Sequence, residues 1–367
     1  MNTILAEKPV IFSGSYDPAD VHILLKPAAI QHVDVEEKER LIQSGTRHYS
    51  EMLSAEKVPD QRYMTLYNQA LGRNAGLLRS HIELLATKIA ERPATSSECV
   101  IISLARAGTP IGVLLKRALV RNGIDAHHYS VSIIRGRGID LNALRHIEAR
   151  HGSKTAIFVD GWTGKGAIKG ELERSLAEKS LGFQPYLAVV ADPAGCADLA
   201  ATTEDYVIPS GLLNGIVSGL ISRSVLTDEL VGPDDFHACL YQEEHAPFDI
   251  SRDFITAIEN ATMPVALSHP WSIETAREAR EGRTALLDRF LSGSNITDVN
   301  RIKPGIAEAT RAILRRVPDR ICVRDLNDPE IQHIRHLAEA AGIAVEEMDL
   351  SNYRAVTIIK RLKGEQE

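Results

Sequence analysis

Hydrophobic and polar positions change rhythm twice along this chain of 367 residues. Up to about residue 80 the pattern is polar and helical. Glu36 to Gln43 has helical spacing, and Tyr63 to Ile89 predicts a long amphipathic helix with apolar positions at Leu66, Ala70, Leu77, Leu78, Leu84 and Leu85. From Cys99 onward, short apolar runs alternate with helical stretches. Cys99 to Leu104 predicts a buried strand, Ala105 to Pro110 a turn, and Ile111 to Asn122 a helix. His128 to Ile134 alternates as a strand does and runs into Arg135-Gly136-Arg137-Gly138. Ala156 to Val159 predicts a strand ending on Asp160, followed by a turn over Gly161 to Gly166 and a helix over Ala167 to Leu176. Tyr186 to Val190 is a further strand. This alternation predicts an α/β fold with a doubly wound parallel sheet flanked by helices.

The rhythm lapses over residues 259–275, at Asn260, Pro264 and His269-Pro270. We therefore expect a first domain over 1–260, a linker over 261–279 and a smaller α/β domain over 280–367. The second part of the chain predicts helices at Ile273 to Leu291, Pro304 to Arg316 and Glu330 to Ala341, with strands at Ile321 to Arg324 and Ala355 to Ile359.

Composition narrows the class. A content of 44% hydrophobic and 25% charged residues suits a globular core, and a net charge of −7 argues against a DNA-coating protein while leaving room for a local basic patch. No apolar run approaches the roughly 18–20 residues of a membrane span, and the start lacks a basic-then-apolar leader. Cys99, Cys196, Cys239 and Cys322 form no C-x-x-C pair, so we expect neither a zinc framework nor disulfides, and a reducing cytoplasm as the compartment.

Candidate chemistry collects in three loops at strand C-termini, where open α/β sheets bind ligands. In Ala105-Arg106-Ala107-Gly108-Thr109-Pro110, small residues let the backbone approach an anion ahead of a helix. Arg135-Gly136-Arg137-Gly138 offers two guanidinium groups suited to a pyrophosphate. Asp160 sets a carboxylate at the sheet edge beside a turn whose N–H groups can face a phosphate, which together suit a ribose 5-phosphate. The bland alternatives are a helix cap at Asp160 and a solvated loop at Arg135 and Arg137. Gly161 to Gly166 is not a Walker motif, because Gly166 stands where Ser or Thr should follow the lysine.

These loops resemble those of the type I phosphoribosyltransferase fold. More closely, the chain resembles the phosphoribosyltransferase-like proteins of bacterial tellurite-resistance and stress operons, a family that also carries the name cysteine protease StiP. The segments Ser15 to Val21, Ile42 to Met52, Ser103 to Gly112, Val159 to Gly166 and Ile208 to Arg223 carry that likeness. It implies phosphoribosyl transfer between phosphoribosyl pyrophosphate and a base-like acceptor, in either direction. Asp160 would bind the ribose diol and a magnesium ion, and Arg106, Arg135 and Arg137 the pyrophosphate. Ala105, Ala107, Gly108, Thr109, Gly161, Trp162, Thr163, Gly164, Lys165 and Gly166 would hold the rest of the donor, and Ser210, Gly211 and Asn214 the acceptor. Phosphoribosyltransferases carry two adjacent acids at this loop; here Gly161 takes the second place, leaving Asp17, Asp20 or Asp140 to supply a partner carboxylate.

Asn300 to Arg311, Arg315-Arg316 and Asn352-Tyr353-Arg354 resemble a Pelota-type RNA-binding domain over about residues 280–363, which implies RNA contacts by Asn300, Lys303 and Arg311. Arg315 and Arg316 suit either a solvated helix end or an RNA contact. Two other readings compete with the transferase: a non-catalytic nucleotide- or RNA-binding protein, and a cysteine hydrolase using Cys239 with His237. Cys239 reads more readily as a buried, inert thiol. His127-His128 lacks a third ligand nearby in sequence and reads as a strand entry. A homodimer is the expected assembly.

Overall fold

Six parallel strands organise the first part of the chain in the computed structural model, which describes residues 12–362 except 178–180, 265–266, 268 and 294–295. The outer ends of the two expected domains (1–11 and 363–367) and part of the expected linker lie outside the described residues. In chain order the first part contains β1 (His22–Leu24), β2 (Lys26–Pro27), α1 (Val35–Gln43), α2 (Gln61–Ala90), β3 (Glu98–Ala105), α3 (Gly108–Arg121) and β4 (Asp125–Ile134). There follow β5 (Gly138–Ile139), α4 (Leu141–His151), β6 (Ala156–Trp162), α5 (Ala167–Ala177), β7 (Leu187–Ala191), β8 (Leu199–Thr202), β9 (Ala238–Cys239) and α6 (Ser251–Asn260). The sheet order is β1-β4-β3-β6-β7-β8, with β5 folded back antiparallel on β4.

Side chains alternate across the sheet and build two cores, as strand geometry requires. Ile101, Ile157, Val159 and Val190 face α2, α3 and α6, whereas Val100, Ile102, Phe158 and Val189 face α4 and α5. Because β3 has β4 on one side and β6 on the other, the loops leaving β3 and β6 diverge and open a crevice at the sheet's C-terminal edge. The expected parallel sheet flanked by helices is thus what the chain forms. Two of the boundaries that move bear on the crevice. β6 continues through Asp160 to Trp162, and α3 starts at Gly108, so that Pro110 lies inside the helix's first turn, where its missing N–H is harmless.

The second part contains α7 (Ile273–Gly293), β10 (Ile302–Pro304), α8 (Ile306–Arg315), β11 (Pro318–Val323), α9 (Gln332–Ala341), β12 (Val345–Glu347) and β13 (Ala355–Ile359). Its four-stranded sheet has the order β10-β13-β11-β12, so this is the smaller α/β unit expected. Asp205, between β8 and the later loops, accepts from the Ile306 N–H at 3.0 Å and the Arg354 N–H at 2.8 Å, pinning the N-terminus of α8 to the first sheet. Arg73 and Asn74 of α2 donate to Glu330 across the same junction. Among the described residues, no helix is long and apolar enough to cross a membrane.

Gly195 fixes the approach of α7. It has φ +62°, and a Cβ there would stand 1.9 Å from the Ala276 carbonyl oxygen. Overpacking costs about 1–3 kcal/mol and a left-handed residue about 1 kcal/mol more. Gly195→Ala should therefore lower stability by about 2–4 kcal/mol in urea denaturation.

Candidate functional site

The crevice is closed over into a cavity of about 320 Å³ by residues from both parts of the chain. The β3 loop contributes Ala105, Arg106 and Ala107. The end of β6 and the following turn contribute Asp160, Trp162, Thr163, Gly164, Lys165 and Gly166, and the turn after β4 contributes Arg135. α8 supplies the opposite wall with Glu308, Arg311, Ala312 and Arg315, spaced three and four apart and therefore on one helical face. The other face of α8 rests on its own sheet through Ala309 and Thr310. Lys303 on β10 and Arg316 complete this wall.

Glycines make the closure possible. Gly108 sits so close to β6 that a Cβ would stand 2.4 Å from the Val159 carbonyl oxygen. At Gly164 a Cβ would come within 2.8 Å of Glu308 Cγ, so a side chain there would push α8 away. The turn is also bolted to the second part of the chain. The Tyr353 hydroxyl donates to the Gly164 carbonyl at 2.7 Å, and Lys165 Nζ donates to the carbonyls of Val299 at 2.5 Å and Ile302 at 3.3 Å. The Arg311 guanidinium lies over the Trp162 ring, 4.4 Å from its centroid. The N–H groups of Gly164, Lys165 and Gly166 have no protein acceptor among the described residues, as an anion-binding turn ahead of α5 requires.

Ten lining residues are Lys or Arg and two, Asp160 and Glu308, are acidic. Three of the cations have carboxylate partners: Arg106 with Glu56, Arg316 with Glu39 and Lys169 with Asp198. Lys38, Arg135, Lys165, Arg223, Lys303, Arg311 and Arg315 have none within ion-pair distance among the described residues. Burial and mutual repulsion weaken the hold of Lys38, Lys165, Arg223, Lys303, Arg311 and Arg315 on their protons. Lys303 is pushed down to about 7, Lys165 and Lys38 to about 8, and Arg223 to about 10, while Arg311 and Arg315 are also lowered. Asp160 accepts the Gly161 N–H at 2.8 Å, yet burial and then Glu308 push it up to about 7 against the pull of Arg311. A crevice with surplus buried positive charge is electrostatically prepared for a polyanion.

Several expected site residues have other work. Arg106 is only 3% exposed. It donates to Glu56 at 2.9 Å, to the Ile221 carbonyl at 2.7 Å and to Asn214 Oδ1 at 3.2 Å, so most of its donors are already committed. Its peptide bond with Ala105 is cis. Arg137 turns out to Glu51 at 2.8 Å and does not line the cavity, because the chain at Arg135 to Gly138 makes a tight hairpin into β5. The Thr163 hydroxyl donates to Asp192 at 2.7 Å and its N–H to the Ala191 carbonyl, which corrects the expectation that this hydroxyl holds a phosphate. Thr109 is buried against Ser130. Gly161 and Gly108 are backbone spacers beside the cavity, and neither lines it.

Of the acceptor candidates, Ser210 is buried outside the cavity lining, and Gly211 leaves room for the Trp162 ring. Asn214 also accepts from Arg315, and with Glu56 it belongs to the partition between this cavity and a second one of about 320 Å³, lined by Leu212, Leu213, Ile216, Leu314 and Leu337. Lys303 and Arg311, named above as RNA contacts, line the cavity, and Asp205 caps the start of α8. Asn300 accepts from Arg135 at 3.2 Å.

None of the three carboxylates suggested as a partner for Asp160 reaches it. Asp20 pairs with Arg117, Asp140 caps α4 and accepts the His237 N–H, and Asp17 bonds its own turn. Glu308 is the carboxylate that shares the cavity with Asp160. Lys38 carried no sequence signal, and Arg223 is marked only as the end of a segment that carries the family likeness. The α8 face carried one, but a charged helical stripe ordinarily means solvent.

Cys239, Cys99 and Cys322 are fully buried, with their thiols pushed up by burial to about 12, 12 and 11. Cys196 alone among the four lines the cavity. Burial, and then Asp192, push it to about 12, and no histidine is among the lining residues. His237 bonds Ser132 at 2.8 Å.

Residues 14–259 match the family described as tellurite-like stress resistance cysteine protease StiP, and residues 283–361 match the PELOTA RNA binding domain. A protein named cysteine protease StiP from Acinetobacter baylyi is 42% identical over 365 residues, covering 96% of this chain and 95% of its own. Hypoxanthine phosphoribosyltransferase from Trypanosoma cruzi, solved with the product IMP, is 14% identical over 34% of this chain and 73% of its own, with a TM-score of 0.27. A second crystal structure of that enzyme is 15% identical over 45% of this chain and 93% of its own, at the same TM-score of 0.27.

Proposed function

This chain belongs to the StiP family of tellurite-like stress resistance proteins, and from that premise we propose that its cavity binds phosphoribosyl pyrophosphate or a nucleotide and transfers the phosphoribosyl group. The observation that supports this reading is the surplus of buried cations gathered around one carboxylate at the sheet's switch point. The turn N–H groups of Gly164 to Gly166 suit the 5-phosphate, and Asp160 suits the ribose hydroxyls. Arg135, Arg311, Arg315 and Lys303 suit the pyrophosphate. In the transfer, the bond from C1 of the ribose to the pyrophosphate oxygen breaks and the electron pair leaves with pyrophosphate. A nitrogen of the base-like acceptor bonds to C1 and gives up its proton. Fixed cations lower the barrier by meeting the charge that develops on the leaving group.

A resident magnesium ion does not fit these residues. Magnesium favours ionised carboxylates, whereas the carboxylates here are Glu308 and an Asp160 that burial holds partly protonated near neutrality, amid unpaired lysines and arginines. The side-chain cations take over charge neutralisation, and we expect binding without added magnesium.

Isothermal titration with phosphoribosyl pyrophosphate, with and without magnesium, tests the reading beside Asp160→Asn. Losing hydrogen bonds to a charged group costs about 1.5–3 kcal/mol, or about 10–100-fold in affinity. No binding by the unaltered protein, or unaltered binding in the variant, would sink the reading. Binding without pyrophosphate release in the presence of purine and pyrimidine bases would favour a nucleotide-sensing or RNA-binding protein, a reading supported by the Pelota match. The cysteine chemistry in the family's name would have to use Cys196, so Cys196→Ser should leave any peptide hydrolysis by the preparation unchanged.

A further inference from the structure

A second polar cluster lies at the opposite end of the sheet, where β3 and β4 begin. Glu98 opens β3, His127 is the third residue of β4, and His151 ends α4. The parallel register sets Glu98 beside Asp125 and Val100 beside His127, so Asp125, His127 and Tyr129 follow one another on one face of β4. One carboxylate oxygen and one nitrogen from each imidazole all lie within 4.8 Å of one another. We propose that Glu98, His127 and His151 form a binding site for a divalent first-row transition ion, zinc first, with a fourth position open to water or another ligand.

The distances favour this over a simple ion pair. His151 Nδ1 stands 3.3 Å from Glu98 Oε1. That is long for a charge-assisted hydrogen bond, which runs to about 2.7–2.9 Å. It matches the separation of about 3.3 Å between two donors that each lie about 2.05 Å from a tetrahedral zinc. The other nitrogen of His151 is 2.9 Å from the Tyr129 hydroxyl, the outer partner that fixes the tautomer and ring orientation of a metal-bound histidine. Asp125 stands 3.5 Å from His127 Nε2 and can orient the second imidazole in the same way. The His127 ring lies 4.3 Å from that of His151 and is 37% exposed, free to turn its nitrogen toward the shared point. Two nitrogens and one oxygen suit zinc, copper or nickel, whereas calcium and magnesium take oxygen ligands. The ion would tie the end of α4 to the start of β3 and β4, far from the cavity and independent of its chemistry.

The test is a zinc titration of the chelator-treated full-length protein against a chromophoric chelator, with cobalt(II) absorption as a report on geometry. One equivalent should bind, with tetrahedral cobalt bands, and be lost in both His127→Ala and Glu98→Gln. Tyr129→Phe should weaken it by about tenfold. No bound equivalent in the unaltered protein, or an equivalent retained by both ligand variants, would overturn the proposal.

Discussion

Glu56→Gln should destabilise the protein by about 3–5 kcal/mol, the range for removing one partner of a buried ion pair. Glu56 stands in the loop before α2, and its side chain is 8% exposed. It accepts from Arg106 at 2.9 Å and from the Gly215 N–H at 3.2 Å, and Arg315 is a third positive neighbour. Burial alone would raise its pKa, but Arg106 overrides that and holds it at about 2, below its ordinary 4.5. A carboxylate depressed in the folded state contributes stability that is complete above about 4.5 and is lost as the pH falls toward 2. Thermal melts of the variant should therefore begin lower at pH 7 and lose less on acidification than those of the unaltered protein. Pyrophosphate should raise the variant's midpoint more than that of the unaltered protein, because a bound polyanion supplies the missing countercharge. Equal midpoints at pH 7 would mean that Arg106 does not depend on Glu56 as its counter-charge.

The same pair shows where reading the sequence stops. The strands that position Asp160 were legible because β3 and β6 are runs of buried apolar residues, and such runs carry their own signature. β8 was not legible, since Leu-Ala-Ala-Thr commits to neither period, and the three residues of β10 run straight into the expected helix, from which Gly305 separates them with φ +94°. At the site, Asp160 and its turn were found from strand–turn–helix order alone. What neutralises Arg106, and what faces Asp160, depended on segments distant in sequence. Glu56 has no pattern around it, and α8 displays Glu308, Arg311 and Arg315 as an ordinary charged stripe. The clasp of Asp205 on Ile306 and Arg354, with the other bonds across that junction, turns the stripe inward. The histidines behave likewise. His127-His128 had no third ligand nearby in sequence, and His127 acquires two partners through the register of β3 and β4 and the end of α4.

The affinity of the cavity for a phosphorylated ribose should fall by about 100-fold or more between pH 7 and 9, with protons taken up on binding. Lys303 at about 7, and Lys165 and Lys38 at about 8, are uncharged in much of the free protein above those values. An anion favours their charged forms and draws each pKa back toward 10.5, so binding takes up protons throughout this window and weakens as the pH rises. Asp160 acts in the same direction. Its ionisation above about 7 adds a negative charge beside the phosphates, and Asp160→Asn removes that share. The ligand acts in the opposite direction: a phosphate monoester loses its second proton near pH 6, so rising pH alone would strengthen attraction to fixed cations. A measured fall therefore belongs to the protein. Calorimetry in buffers of different ionisation enthalpy would count the protons, and Lys303→Met should remove close to one of them at pH 8 while lowering affinity at pH 6. Affinity that holds or rises between pH 7 and 9, with no proton uptake, would show that these lysines do not meet the phosphates. The basic wall built by α8 and β10 would then serve to dock the two parts of the chain.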